Sequence, residues 1–324
     1  MEMNKQKLLA IVGPTASGKT SLSILLAKRL GGEILSCDSM QIYRGMDIGT
    51  AKPTEQEKAD VPHHLLDLAD ADTPFSCAEY VKAASSVIDE LSARGSLPVL
   101  CGGTGLYLDA LLRGGGFEET DTDPALREEL FAFAAQHGNH ALHERLAAID
   151  PESAAAIHEN NVKRVVRALE IHHTSGITKS EADRRSRIPE SPYRAAVIGL
   201  YYPDRTLLYG RIGLRVEQML EDGLLEETRT LLAAGVFDKN GTAAQAIGYK
   251  ELLGYLRGEE SLADAVERLK TATRRYAKRQ MTWFGARPYV HWVTVTTPEG
   301  KIRPAEELVD EIAALAERIW QEET

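Results

Sequence analysis

The chain has 324 residues, of which 43% are hydrophobic and 27% are charged. This composition is typical of a folded globular protein and excludes a disordered or fibrous chain. With 38 Lys and Arg against 48 Asp and Glu, the formal net charge is −10, which argues against a protein that coats nucleic acid with its whole surface. No apolar run reaches the length of a membrane span, so we expect a cytoplasmic protein without a membrane partner.

Short apolar runs alternate with helical patterns in the first third of the chain. Strands are predicted at residues 8–12, 33–37 and 97–101, with one helix beginning near Lys19 and another over 78–94. This βαβ alternation is typical of a parallel sheet covered by helices. The sequence therefore predicts an α/β fold.

The pattern becomes purely helical in the middle of the chain. Helices are predicted at residues 124–137, 141–149 and 162–173. Strands return only at 195–201 and 290–295. We therefore expect an all-helical insert domain at residues 118–189, and a discontinuous core domain formed by residues 1–117 and 190–324.

A glycine-rich segment follows the first predicted strand and opens the first helix. It reads Gly13-Pro14-Thr15-Ala16-Ser17-Gly18-Lys19-Thr20 and matches the P-loop pattern G-x-x-x-x-G-K-[ST] in spacing and context. Loop N–H groups, the helix N-terminus and Lys19 can hold a diphosphate, and the Thr20 hydroxyl can reach Mg²⁺. We predict a P-loop NTPase-like sheet that binds a diphosphate at residues 13–20 with Mg²⁺ as cofactor. The loop alone does not decide whether that diphosphate belongs to ATP.

Asp38 is the only acidic residue at a strand end near this loop. The strand at 97–101 runs into Gly102-Gly103-Thr104-Gly105 without an acid, although many P-loop NTPases place a metal-supporting acid after a second core strand. Asp38 can therefore support a metal ion or act as a general base, and its position alone favours neither role.

Several blocks of the sequence resemble the tRNA dimethylallyltransferases. The longest is residues 37–53, C-D-S-M-Q-I-Y-R-G-M-D-I-G-T-A-K-P. The others are residues 13–20, 63–67, 102–107, 167–170, 246–252 and 277–284, in the family's order. Where many members have an arginine, this chain has Gly285, with Arg287 two positions on. The resemblance implies a prenyltransferase that moves a dimethylallyl group from dimethylallyl diphosphate to N6 of the adenosine 3′-adjacent to a tRNA anticodon.

The resemblance also implies roles for individual residues. It makes Asp38 the general base and adds Thr104 and an arginine, for which we favour Arg215 over Arg211, as groups that assist catalysis. Chemistry agrees with these roles, because an adenine amine is a poor nucleophile that must lose a proton as the bond forms. Negative charge meanwhile grows on the departing diphosphate, where cations and N–H donors stabilise it.

A stacked adenine has to be flipped out of the anticodon loop before it can react. Ser39, Met40 and Gln41 adjoin the expected base, and the resemblance places them, together with Asp38 and Thr104, in contact with tRNA. A glutamine side chain can pair with the N6 and N7 edge of adenine. For Met40, core packing is the alternative interpretation.

Two basic stretches are candidates for contacts with RNA phosphates. Residues 270–287 contain six Lys or Arg and no acid, and Lys270 opens a helical stripe there. Residues 163–194 contain eight basic and four acidic side chains, and the acidic tail from residue 298 is expected to face away from RNA. The tRNA-binding candidates from these stretches are Lys163, Arg164, Arg167, Arg274 and Lys278.

Two other functions share part of this pattern. A P-loop small-molecule or nucleotide kinase would use the same loop for ATP, and an RNA-binding module without enzymatic activity could sense a diphosphate through it. Binding of ATP separates the first from the prenyltransferase, and the role of Asp38 separates the second. We expect a monomer whose partners are dimethylallyl diphosphate and a tRNA anticodon stem-loop.

Overall fold

The computed structural model of the protein describes residues 5–113, 123–185, 191–238 and 241–322. The strands are β1 (Gln6–Val12), β2 (Gly32–Ser36), β3 (His63–His64), β4 (Leu97–Gly102), β5 (Tyr193–Tyr201) and β6 (Val290–Thr294). The helices are α1 (Lys19–Leu30), α2 (Glu55–Asp60), α3 (Cys77–Ala93), α4 (Gly105–Leu112), α5 (Pro124–His137), α6 (Asn139–Ile149), α7 (Pro151–Ala156), α8 (Val162–Ser175), α9 (Lys179–Arg185), α10 (Arg205–Glu221), α11 (Leu224–Ala233), α12 (Leu253–Leu256), α13 (Leu262–Gly285) and α14 (Ala305–Glu322), with a 3₁₀ turn at Ala243–Gln245. The predicted ends of strands and helices differ from these bounds by at most two residues.

All six strands form one parallel sheet in the order β3-β2-β4-β1-β5-β6. From Leu8 onward β1 is apolar because it is buried on both faces: Leu9 and Ile11 enter one core cluster, and Leu8 and Ala10 the other. Strands of a parallel sheet all end at the same edge, where open α/β proteins bind their ligands. The P-loop NTPase-like α/β fold predicted from the sequence is confirmed, and the segments after β1, β2 and β4 lie side by side at this edge.

Helices cover both faces of the sheet. On one face α1 and α14 bury an apolar stripe that includes Leu26 and Ile312, and on the other α3 and α4 bury Tyr80 and Leu108. Ser76 and Glu79 form a capping box that fixes the start of α3, which satisfies N–H groups that the helix leaves unpaired. No described helix has both the length and the apolar character needed to cross a membrane.

The chain divides into two compact units, one formed by residues 1–112 with 192–324 and the other by residues 113–191. The second unit contains α5 to α9 in its described part, and its core packs side chains of α5, α6 and α8 such as Leu142 and Val165. The predicted domain boundaries, 117/118 and 189/190, lie outside the described residues.

Candidate active site

The segment between β1 and α1 forms a backbone cradle. Gly13 and Gly18 have φ angles of 138° and 91°, which side chains rarely allow. A Cβ atom on Gly13 would also lie 3.1 Å from the carbonyl oxygen of Leu200. The Lys19 ammonium donates to the carbonyl oxygen of Pro14 at 2.6 Å, within the strand–loop–helix arrangement that suits phosphate binding.

A cavity of about 570 Å³ opens over this cradle. Lys19 and Thr20 line it from α1, and Arg211 and Arg215 line it from α10. The Arg211 Nε donates to the Ala16 carbonyl oxygen at 2.9 Å, so this guanidinium is held against the loop. Lys52 lines it as well, so four cationic side chains and one carboxylate, that of Glu57, face a volume that a diphosphate can occupy.

Burial makes the charged forms of two of these cations less stable. The pKa of Lys19 is lowered to about 8, mainly by burial and in smaller part by the charge of Arg215, while Asp38 opposes the shift. Burial also lowers the pKa of Arg215, against the attraction of Asp38. A bound anion would reverse these shifts, because it favours the charged form of both groups.

Asp38 follows β2 and lies next to the cradle. Its Oδ1 accepts a hydrogen bond from the Met40 N–H at 2.9 Å. Burial raises the pKa of Asp38, although the Met40 N–H and the Lys19 charge oppose the rise. Among the described residues Asp38 forms no ion pair, so its carboxylate is enclosed and yet available to a substrate.

Asp38 lines two further cavities, of about 70 and 240 Å³. Lys19 and Thr20 line the smaller one, while the larger one has an apolar wall that includes Ile212. Arg215 lines both of these and the cavity over the P-loop, so all three adjoin one another at its side chain. Asp38 and Arg215 thus stand between the phosphate cradle and the cavity of about 240 Å³ with the apolar wall.

Thr104 holds the segment that carries Asp38. Its Oγ1 accepts a hydrogen bond from the Ser39 N–H at 3.0 Å and lies 3.3 Å from the Ser39 hydroxyl. The Thr104 N–H donates to the Cys37 carbonyl oxygen at 3.1 Å. Close packing here requires glycine, because a Cβ atom on Gly102 would lie 2.1 Å from that same oxygen.

Gln41 has little hydrogen-bonding capacity left for a base. Its Oε1 accepts from the Ser36 hydroxyl at 2.7 Å, and its Nε2 donates to the carbonyl oxygens of Thr50 and Ala51 at 3.2 and 3.0 Å. Both amide hydrogens are therefore used, and only one acceptor position remains. The expected pairing of Gln41 with both N6 and N7 of adenine would require these bonds to break.

Two side chains of α13 that were not predicted from the sequence belong to this site. Gln280 is 5% exposed; its Oε1 accepts from the Thr15 N–H at 2.8 Å, and its Nε2 donates to the Gly103 carbonyl oxygen at 3.1 Å. Tyr276, one turn earlier, lines both cavities that contain Asp38. Burial and the charge of Asp38 raise the pKa of Tyr276.

His63 also faces the smaller cavity. Its Nδ1 lies 2.7 Å from the Val61 carbonyl oxygen, which can only accept, so Nδ1 carries the hydrogen and Nε2 is left as an acceptor. That Nε2 is buried and has no partner among the described residues. The neighbouring His64 instead binds Glu33 at 2.8 Å, so the two histidines do not share a site.

Residues 42–53 are braced from a distant helix. Glu227 of α11 accepts hydrogen bonds from the N–H groups of Ile48 and Gly49 at 2.9–3.0 Å, and from the Tyr249 hydroxyl at 2.7 Å. The buried Lys52 ammonium binds Asp47 at 2.6 Å, among other partners. These contacts fix the loop that closes the wall of the Asp38 cavities.

The basic stripe on α13 is shorter than predicted. Lys270 is paired with Glu217 at 3.0 Å and Glu267 at 3.3 Å, so it is not an uncommitted cation. Arg274 is half-buried, whereas Lys278 is exposed, as are its neighbours Arg275 and Arg279. Lys270 does lie on the same helix as Arg274 and Lys278, but its acidic partners, one of them on α10, occupy its charge.

Other predicted cations differ in how far they are committed. Lys163 and Arg164 are exposed on α8, but Arg167 binds the buried Glu170. Arg287, which follows the family's usual arginine position, binds Asp109 at 2.6 Å. Arg287 therefore stabilises the core and does not replace a phosphate contact at Gly285.

The chain matches one protein family and full-length relatives. Residues 41–287 match the family model described as IPP transferase. Over 98% of this chain and 100% of the relative, it is 50% identical to the tRNA dimethylallyltransferase of Bacillus velezensis, and over the same shares 49% identical to that of Bacillus subtilis. Coverage of this extent includes the P-loop and Asp38, which precede residue 41.

Solved structures give the same result. The full-length tRNA isopentenylpyrophosphate transferase of Bacillus halodurans is 45% identical with a TM-score of 0.70, covering 98% of this chain and 99% of its own. A eukaryotic dimethylallyltransferase acting on tRNA is 28% identical with a TM-score of 0.73, covering 89% of this chain and 74% of its own.

Proposed function

Because the chain belongs to the IPP transferase family, we propose that it transfers a dimethylallyl group from dimethylallyl diphosphate to N6 of the adenosine 3′-adjacent to a tRNA anticodon. One observation carries the assignment. Asp38, an enclosed carboxylate that forms no ion pair with the described residues, stands between a cationic P-loop cavity and a second cavity with an apolar wall, and Arg215 lines both cavities.

The P-loop side holds the diphosphate. Within the loop of residues 13–20, the N–H groups from Ala16 to Thr20 bind its oxygens together with the Lys19 ammonium and the Arg215 guanidinium, and they stabilise the charge that grows as the carbon–oxygen bond breaks. The allylic carbon then lies beyond the cradle, next to Asp38. Thr104 and Gln280 keep the two loops on either side of it in place.

The residues present also fit a magnesium ion. Thr20 offers a hydroxyl beside Lys19, and no group of three or more His, Cys, Asp or Glu able to hold a metal exists in the part of the chain that is described. Mg²⁺ is usually bound through few protein ligands plus substrate phosphates and water, so Thr20 and the diphosphate would hold it. When bound, it neutralises charge on the leaving diphosphate.

The cavity of about 240 Å³ that Asp38 lines receives the flipped adenine. N6 attacks the allylic carbon, the electron pair of the breaking carbon–oxygen bond leaves with the diphosphate, and the N6 proton goes to the Asp38 carboxylate. The raised pKa of Asp38 makes it a stronger base than an ordinary aspartate. Ser39 and Met40 line this cavity and contact the base, while Gln41 braces the loop around it.

The remaining tRNA contacts come from exposed cations. Lys278 on α13 and Lys163 and Arg164 on α8 bind phosphates of the anticodon stem-loop, and Arg274 supports them from its half-buried position. Arg167 contributes through the shape of the second unit, because its guanidinium is held by Glu170.

The test is mass spectrometry of an anticodon stem-loop RNA incubated with the protein, Mg²⁺ and dimethylallyl diphosphate. We expect a gain of one C5H8 unit on the adenosine 3′ of the anticodon. A matched RNA with guanosine at that position should remain unmodified. Tight binding of Mg-ATP with no affinity for dimethylallyl diphosphate would instead establish a kinase.

A further inference from the structure

A fourth cavity, of about 300 Å³, lies on the opposite side of α13 from Asp38. Lys278 and Met281 face this cavity, whereas Tyr276 and Arg279 of the same helix face the chamber that contains Asp38. The P-loop divides the two in the same way, since Pro14 lines one and the next residue lines the other. The helix is thus a ridge with a cavity on each flank.

The fourth cavity combines aromatic rings with uncommitted cations. Tyr201, which is 40% exposed, and the half-buried Tyr209 line it. Arg205 and Lys278 are its charged residues; no carboxylate lines it, and neither cation forms an ion pair within the described residues. Tyrosine faces beside cations are the surface that proteins use to stack single-stranded bases and hold their phosphates.

A third tyrosine, Tyr202, holds one wall of the fourth cavity in place. Tyr202 is 5% exposed, and its hydroxyl donates to the Ser17 carbonyl oxygen at 3.2 Å, which ties the floor of the cavity to the P-loop. Outside the cavity, Trp292 packs edge-on against Tyr201 with ring centroids 6.1 Å apart. The volume is at the lower end of the range for small-molecule sites, sufficient for one nucleobase.

We propose that this cavity binds the base of a second unpaired nucleotide of the same tRNA anticodon loop, a proposal that rests on the proposed function. The target adenosine enters the Asp38 side of α13, and the second base enters the tyrosine side. The phosphates between them cross the ridge on its exposed cations Arg275, Lys278 and Arg279. A helix with its side chains is about 10–12 Å across, which a few nucleotides of single strand can span.

The experiment measures binding of stem-loop RNAs that each lack one base of the anticodon loop, at fixed salt, by fluorescence anisotropy. With the unaltered chain, removing one particular base other than the target should weaken binding between about 5-fold and 100-fold, the range of base stacking on an aromatic ring. Tyr209→Leu should weaken binding of the intact loop similarly and leave the RNA that lacks this base unaffected. Tyr209→Phe, which keeps the ring, should bind every RNA like the unaltered chain.

Calorimetric binding of dimethylallyl diphosphate by Tyr209→Leu, unchanged from the unaltered chain, serves as the check that the variant is folded. If Tyr209→Leu loses the same factor with every RNA, or loses none, the cavity does not hold a base and the inference is overturned. Another result would also overturn the inference: a free nucleoside monophosphate binds tightly, this binding is lost in Tyr209→Leu, and the RNA series shows no base-specific loss. Prenylation of the intact stem-loop in the same preparation shows independently whether the proposed function stands.

Discussion

Each of the two units encloses a carboxylate, and the two carboxylates differ in their hydrogen-bond donors and in the direction of their pKa shifts. Glu170 of the second unit is fully buried and accepts hydrogen bonds from Arg127, Arg167 and the Asp123 N–H. Burial opposes its ionisation, but these donors outweigh it and lower the pKa. Asp38 accepts hydrogen bonds only from backbone N–H groups within the described structure, those of Met40 and Gln41, and burial raises its pKa.

The cations around the two carboxylates explain the difference. Arg127 and Arg167 are bonded to Glu170 directly, whereas Lys19 and Arg215 lie near Asp38 without pairing with it in the described structure. A fully satisfied carboxylate stabilises a fold, and an enclosed one with few donors remains reactive. We therefore expect Glu170 to serve structure, although it lies in a family sequence block, and Asp38 to serve chemistry.

The largest expected effect is on the chemistry at Asp38. Asp38→Asn keeps the shape of the side chain and removes the base, so the rate of prenyl transfer should fall about 10²- to 10⁴-fold. The free energy of unfolding should stay the same or rise, because the substitution removes a negative charge that burial destabilises. Single-turnover prenylation and thermal unfolding measure the two quantities, with the exposed Asp310→Asn as control. An unchanged rate would remove Asp38 as the base.

The second prediction sharpens the role of the unpaired cations. Arg215→Ala should lower kcat about 10²- to 10³-fold, the loss seen when a group that stabilises transition-state charge is removed. Arg211→Ala, one turn away on α10, should lower it less than tenfold because the Nε of that side chain is bound to the Ala16 carbonyl oxygen and the side chain does not line the cavities that contain Asp38. Steady-state kinetics at saturating tRNA compares them. An equal or larger loss at Arg211 would reverse the assignment.

The third prediction addresses the satisfied carboxylate. Glu170→Gln loses charge-assisted hydrogen bonds, so local opening of the second unit should become easier by about 1.5–3 kcal/mol. Hydrogen exchange in α5 and α8 reports this opening, and the exposed Glu129→Gln on α5 is the matched control. The single-turnover rate with bound substrates should not change. A loss of chemistry without faster exchange would place Glu170 in the reaction.

The smallest effect is on the pH dependence of diphosphate binding. Lys19, with a pKa of about 8, is protonated below that pH and neutral above it. A bound diphosphate favours the charged form, so its affinity should weaken above pH 8 by up to about tenfold per pH unit, with proton uptake on binding. Calorimetry in buffers of different ionisation enthalpy measures that uptake. Constant affinity between pH 7 and 9.5 would show that Lys19 stays charged in the free protein.

The parts of the site that are local in the chain could be predicted from the sequence. The P-loop at residues 13–20 and Asp38 follow strands that end at the same sheet edge, so spacing alone brought them together. Gln280, Tyr276 and His63 could not be placed this way, because each joins the site from a distant element. The family blocks at 277–284 and 63–67, which contain Gln280 and His63, gave the available signals.

Charge was the least predictable property. The stripe on α13 was counted correctly, but its first member is neutralised by Glu217, which lies far away in sequence. Arg287 is likewise bound to Asp109 across the core. The two-residue strand β3 was too short to show a periodicity. A sequence reveals how many cations a segment has, and only the fold reveals which remain available to a substrate.

The central claim is that Asp38 removes a proton and does not hold the metal. Calorimetric titration of dimethylallyl diphosphate into Asp38→Asn in the presence of Mg²⁺ tests it most directly. The affinity should match that of the unaltered chain, and the same sample should fail to prenylate RNA. A loss of Mg²⁺-dependent diphosphate binding would contradict the account and make Asp38 a metal-supporting carboxylate.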